Sequence, residues 1–129
     1  MENKNPLSPH IQIYNWHISS LVSIGHRISG VINLIILTII TFWIGSLLLA
    51  ENHYYLIFNF FNSFFGKFFI IGTIWSFTLH SLSELRHLCW DMGYGFELKT
   101  ANLTGALVII FSIIFTVIIY MAGRFFFNV

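Results

Sequence analysis

Three stretches of this chain, about Ser20 to Leu49, Gly66 to Trp90 and Leu103 to Phe126, are long, apolar and nearly free of charge. A bilayer core about 30 Å thick is crossed by about 20 such residues in a helix. No water reaches the backbone there, so each stretch must satisfy its own amides, and a helix does so. The expected fold is therefore all-α and integral to a membrane, with three transmembrane helices. Hydrophobic residues make up 57% of the 129 and charged residues only 9%. A soluble domain carries about a quarter charged residues, so that class is excluded. The length allows a single domain, an arm over residues 1–19 followed by the three spans. A formal charge of +1 with sparse Lys and Arg gives no surface for nucleic acid. One cysteine, Cys89, excludes an internal disulfide and a CxxC redox pair.

The arm holds both prolines, Pro6 and Pro9, and reads as extended chain. It resembles neither a signal peptide nor an Arg- and Ser-rich transit peptide. Tyr14, Trp16 and His17 suit a headgroup-level position, and Ser19 or Ser20 is the expected cap of the first helix. The connection from Glu51 to Phe65 carries Phe60, Phe61, Phe64 and Phe65, the pattern of a short amphipathic piece in the interface. Gly93 or Gly95 is expected to end the second long helix in a left-handed conformation. In the third span, Gly105 and Ala106 offer close packing. Lys4, Arg27, Arg86 and Lys99 fall on one side, against Lys67 and Arg124 on the other. The positive-inside rule then puts the N-terminus in the cytoplasm or matrix.

The chemistry lies in His80 through Gly93. In a helix, His80, Glu84 and His87 share one stripe, and His87 lies roughly 10 Å along the axis from His80. An ionisable group within a span marks a functional site by default. In the first span, Ser23, His26, Arg27 and Gly30 fall at i, i+3, i+4 and i+7, on one face. The topology brings Ser23, His26, Arg27, Arg86, His87 and Asp91 near the inner surface. His80 is expected deeper, roughly 15 Å from Trp90, with His26 shallower than it by several ångströms. One deep histidine beneath a cationic, hydroxyl-rich rim suits haem b: imidazole on the iron, rim on the propionates. His80 supplies one axial ligand, so a second must come from elsewhere. His26 is assigned to the rim. The same group suits a quinone, with Ser23 and Arg27 as donors and the span faces as a slot for its tail. Taken singly, each residue has a plainer reading. His80 can bond a neighbouring helix, Arg27 can snorkel, Ser23 can pack helices and Asp91 can sit in solvent.

Three motifs, in order, resemble those of a known family. Asn5-Pro6-Leu7-Ser8-Pro9-His10 is similar to an Arg-Pro-Leu-Ser-Pro-His arm. Ser23-Ile24-Gly25-His26-Arg27-Ile28-Ser29-Gly30 matches Ser-x-x-His-Arg-x-Ser/Thr-Gly. His80 through Gly93 matches His-x-x-x-Gly-x-Arg-His-x-x-aromatic-Asp-x-Gly. These resemble the cytochrome b anchor subunits of succinate dehydrogenase, complex II. The resemblance spans nearly the whole chain. It implies a membrane anchor that forms half of a two-subunit helical bundle and binds one haem b with a second small anchor subunit, which supplies the other axial histidine. By motif position, His80 is the iron ligand, Arg27 and His87 contact propionates, and Ser23 and Arg27 belong to the ubiquinone site. The implied partners are a flavoprotein, an iron–sulfur subunit and the lipid bilayer. The implied location is the mitochondrial or a bacterial inner membrane. This chain itself performs no succinate chemistry.

Two positions depart from the pattern. Asn5 replaces Arg, and Glu84 replaces a small residue one turn from His80, where it is expected to crowd a haem and to need a partner. Two further functions therefore stand beside the first: a haem-free anchor shaping the quinone site, and a proton-conducting subunit using His26, His80, Glu84 and His87 as a relay.

Overall fold

A computed structural model describes residues 15–48 and 52–127, the side chains of 52–54 and 127 excepted. The arm motif and Tyr14 lie outside the described residues. The described chain forms four helices: α1 (Ile18–Leu47), α2 (Asn52–Asn62), α3 (Phe64–Asp91) and α4 (Leu98–Phe127).

α1 begins earlier than its serines would place it. His17 is the N-cap, with φ −93° and ψ 147°, and it offers no side-chain cap. Ser20 lies inside the first turn, where its hydroxyl donates back to His17 O at 2.7 Å. A serine in that position satisfies itself and caps no amide. A helix does occupy the Phe-rich connection, and it meets α3 at a bend of 83°. Ser63 makes the corner. Its Oγ accepts from Gly66 N at 3.2 Å and donates to Phe60 O at 2.6 Å, capping α3 while closing α2. At the other end of α3, Gly93 takes φ 87°. Gly93 N bonds Trp90 O at 2.8 Å and Tyr94 N bonds Cys89 O at 3.1 Å. That pairing is a Schellman motif, which needs a left-handed residue after the cap.

α1 and α4 are each long and apolar enough to cross a membrane. The residues Tyr55–Asn62 and Phe64–Asp91 pass the same criterion only as a bent pair, so the described helices offer two spans, or three if the pair counts as one. α3 is the polar member, carrying Lys67, His80, Glu84, Arg86, His87 and Asp91.

The interior is more polar than the surface. Among the described residues, four apolar side chains are buried, Val22, Leu79, Ala101 and Val108, against seven polar ones. Large apolar residues such as Leu34, Phe42, Phe64 and Phe125 stand exposed. Water would drive that arrangement the other way. Lipid does not, because burying Leu against Leu gains little where the solvent is already apolar, and hydroxyl bonds and close packing hold the helices instead.

Those bonds are visible at each contact. Between α3 and α4, Thr78 Oγ1 lies 3.2 Å from Ser112 O and 3.1 Å from Thr116 Oγ1. Trp75 Nε1 donates to Ser112 Oγ at 3.2 Å. Between α1 and α3, Ser76 Oγ donates to Asn33 Oδ1 at 2.8 Å. Gly105 lets α4 approach α1, since a β-carbon there would come within 3.3 Å of Ile18 Cγ2. Val22, Leu79 and Val108, one from each long helix, pack together where the three meet.

Candidate functional site

α1 and α3 meet face to face around His80. A β-carbon on Gly30 would lie 3.2 Å from His80 Cε1, so the glycine leaves room for the ring against α1. His80 Nδ1 lies 3.2 Å from His26 O and 3.2 Å from Ser29 Oγ. A carbonyl only accepts, so Nδ1 carries the proton in that contact. Ser29 Oγ donates to the same carbonyl at 2.9 Å, which frees its lone pairs toward His80. In the neutral ring, Nε2 is then the unprotonated nitrogen.

Nε2 faces Glu84. The carboxylate oxygen is 3.9 Å from His80 Nε2 and 2.7 Å from His26 Nε2. His26 donates to Glu84, and its ring lies flat on His80, with centroids 4.3 Å apart and planes 13° from parallel. His87 meets His26 edge-on at 5.0 Å and stacks on Trp90 at 5.4 Å. Among the described residues, His26, His80 and Glu84 each bring a ligand atom to within 4.8 Å of the others. The cluster has one open side, since the Glu84 side chain is 52% exposed while that of His80 is 30% exposed.

His26, assigned from the sequence to a rim above His80, stacks its ring on that of His80, and its backbone carbonyl holds Nδ1. The other proposed rim groups are not drawn in. Arg27 is exposed and Ser23 half-buried, and neither side chain takes part in the hydrogen bonds of the cluster. His87 does join the cluster.

Sequence reasoning did not give the contacts of Glu84, Ser29 and Arg86. Glu84 finds its partner in His26, on another helix. Ser29 stands three residues after His26 in the same motif, and that spacing is the one local sign of it. Arg86 is buried. It donates to Ser19 Oγ at 2.8 Å, Ala101 O at 2.9 Å and Thr104 Oγ1 at 3.2 Å, and its guanidinium sits 4.1 Å above the Trp90 ring. It joins three helices beside the histidine cluster. Trp90 Nε1 in turn donates to Gly95 O at 3.3 Å, so the loop after α3 is tied to the same stack.

Two open apolar grooves run along the helices. One, of about 710 Å³, is lined by Gly25, Ser29, Ile32, Phe69 and Leu79 among others. The other, of about 560 Å³, runs along Asn33, Leu37, Thr73 and Phe77.

Residues 1–119 match the family described as succinate dehydrogenase/fumarate reductase transmembrane subunit. A protein of Rickettsia felis named succinate dehydrogenase cytochrome b556 subunit is 36% identical over 119 residues, covering 92% of this chain and 93% of its own length. The cytochrome b560 subunit of Marchantia polymorpha is 38% identical over 84% of this chain and 83% of its own. The cytochrome b556 subunit of Paracoccus denitrificans is 30% identical over 88% and 87%. With its inside-out interior and a match over nearly its whole length, this chain belongs to the succinate dehydrogenase/fumarate reductase transmembrane subunit family.

Proposed function

We propose that this chain is the cytochrome b anchor subunit of a succinate:ubiquinone oxidoreductase, and that His80 ligates haem b through Nε2. The observation that carries this is the hydrogen bonding of His80. A metal-binding histidine almost always donates its other ring N–H to a carbonyl, carboxylate or water, which fixes its tautomer and orientation. His80 Nδ1 has that partner in His26 O, with Ser29 Oγ beside it. The donor set therefore fits the group, with Glu84 and His26 beside its entry. Haem b, when bound, carries one electron at a time.

His26 backs the His80 ring by stacking, which limits its rotation. His87 and Arg27 stand toward the inner surface, where their donors suit propionates. Ser23 and Arg27 supply donors for the two carbonyls of a quinone head, and the apolar groove past Gly25 and Ser29 suits its tail. A second small anchor gives the other axial histidine, and the iron–sulfur and flavoprotein subunits deliver electrons from succinate. The chain crosses an inner membrane three times, through α1, α3 and α4, and its N-terminus lies on the matrix or cytoplasmic side.

The test is a dithionite-reduced minus oxidised spectrum of the purified complex, wild type and His80→Ala. Sharp b-type bands that vanish or shift in the variant are expected. Wild-type complex that reduces quinone without such bands overturns the haem assignment. One observation favours a second reading, a haem-free anchor shaping the quinone site: the Glu84 carboxylate lies 3.9 Å from Nε2.

A further inference from the structure

His80 has one nitrogen left to give, and a carboxylate stands in front of it. A metal bound to imidazole sits about 2 Å from the nitrogen. Glu84 Oε1 is 3.9 Å from Nε2, so a metal and this carboxylate oxygen compete for one small space. A porphyrin around that metal would widen the conflict, because its ring needs the space flanking Nε2 as well.

Glu84 is held where it stands. It accepts from His26 Nε2 at 2.7 Å, a hydrogen bond to an acceptor that carries charge when ionised, the stronger kind. His26 is itself fixed, flat against His80 and edge-on to His87. Glu84 is also free to leave, since its side chain is half exposed and the cluster is open on that side. Two states follow: one with Glu84 on His26 and over Nε2, the other with Glu84 swung outward.

We propose that Glu84 is an internal competitor for His80 that sets how tightly this chain takes up haem. The inference rests on the haem reading above. Haem binds only the state in which Glu84 has swung away. The apparent dissociation constant is then the intrinsic one divided by the fraction of molecules in that state. The cost of breaking the Glu84–His26 hydrogen bond keeps that fraction small. Removing the carboxylate makes it unity and leaves the Nδ1 contacts of His80 intact.

The experiment uses the complete complex assembled in a host that cannot make haem, then titrated with hemin and read by its b-type absorption. Wild type is compared with Glu84→Ala, Glu84→Gly and Glu84→Gln. Ala suits a helix better than Gly does, so Glu84→Ala is the deciding variant. Its apparent dissociation constant is expected to fall about tenfold or more. Glu84→Gln keeps the length and still accepts from His26, through a weaker neutral bond, so it falls between. Bands in wild type with an unchanged or weaker constant in Glu84→Ala overturn the inference and leave the haem reading standing. An absence of bands in every form overturns both.

Discussion

Arg86 on α3 donates to Ser19 Oγ on α1 at 2.8 Å, joining residues sixty-seven positions apart. The same guanidinium reaches Ala101 O and Thr104 Oγ1 on α4, and no carboxylate neutralises it among the described residues. A buried cation is tolerated here because its donors find carbonyl and hydroxyl acceptors and one face rests on Trp90. It sits one residue before His87, so it also fixes the rotation of α3 that turns His80 and His87 toward α1.

Arg86→Ala is expected to lower the stability of the complex by about 2–4 kcal/mol, since it leaves buried acceptors unpaired and a space beside Trp90. Arg86→Lys is expected to recover little, because an ammonium lacks both the planar fork and the stacking face. Thermal melting of the detergent-solubilised complex checks both, and a wild-type melting temperature for Arg86→Ala would refute the clamp.

Gly30 sets the seat of the His80 ring. Gly30→Ala places a β-carbon 3.2 Å from Cε1, which a shift of a few tenths of an ångström absorbs, so haem content should change little. Gly30→Val adds branches that cannot be absorbed against a stiff helix. Its expected outcome is loss or broadening of the b-type bands with flavin content unchanged. Identical spectra for wild type and Gly30→Val would mean that the ring does not rest there.

Thr116 Oγ1 donates to Ser112 O at 2.6 Å within α4 and meets Thr78 Oγ1 at 3.1 Å across the α3–α4 contact. Thr116→Val keeps the shape and removes the hydroxyl. Interhelical hydrogen bonds in a bilayer are individually small, so a loss of about 1 kcal/mol is expected. The haem spectrum should be untouched, since this seam lies on a different face of α3 from His80. A spectral change would show that the two faces are coupled.

Gly93 holds φ 87° at the end of α3. Gly93→Ala should cost about 1–2 kcal/mol, the penalty for an L residue in that region. Gly93→Asn should cost less, because Asn tolerates the left-handed conformation better. Melting temperatures of the two variants give the order directly, and equal values would argue that the turn relaxes.

Much of this protein was legible along the chain, because local rules settle it. Long apolar runs without water partners must be helical, and α1, α3 and α4 follow them. The Phe-rich connection reads as a short amphipathic piece; a helix there holds Phe60 and Phe61, while Phe64 and Phe65 begin α3. A glycine after a helical run stops α3 at Gly93 through bonds no more than five residues apart. His80 stands out because a titratable group amid apolar neighbours needs a reason to be there. The cap of α1 was misjudged by two or three residues, since a serine just inside a first turn and one just before it look alike in sequence.

Tertiary structure alone decided what His80 meets. Periodicity tells which residues share a face of one helix. It is silent on how far one helix slides along another, and one turn of slide moves a side chain about 5.4 Å. That slide lays the His26 ring on His80. It gives Glu84 its partner across fifty-eight residues, and it turns Arg86 from a charge used for orientation into a bond between three helices. In lipid the slide is chosen by small residues and paired hydroxyls spread over the whole contact, Gly30, Ser76, Asn33 and Gly105 among them, and no single stretch of sequence contains that sum.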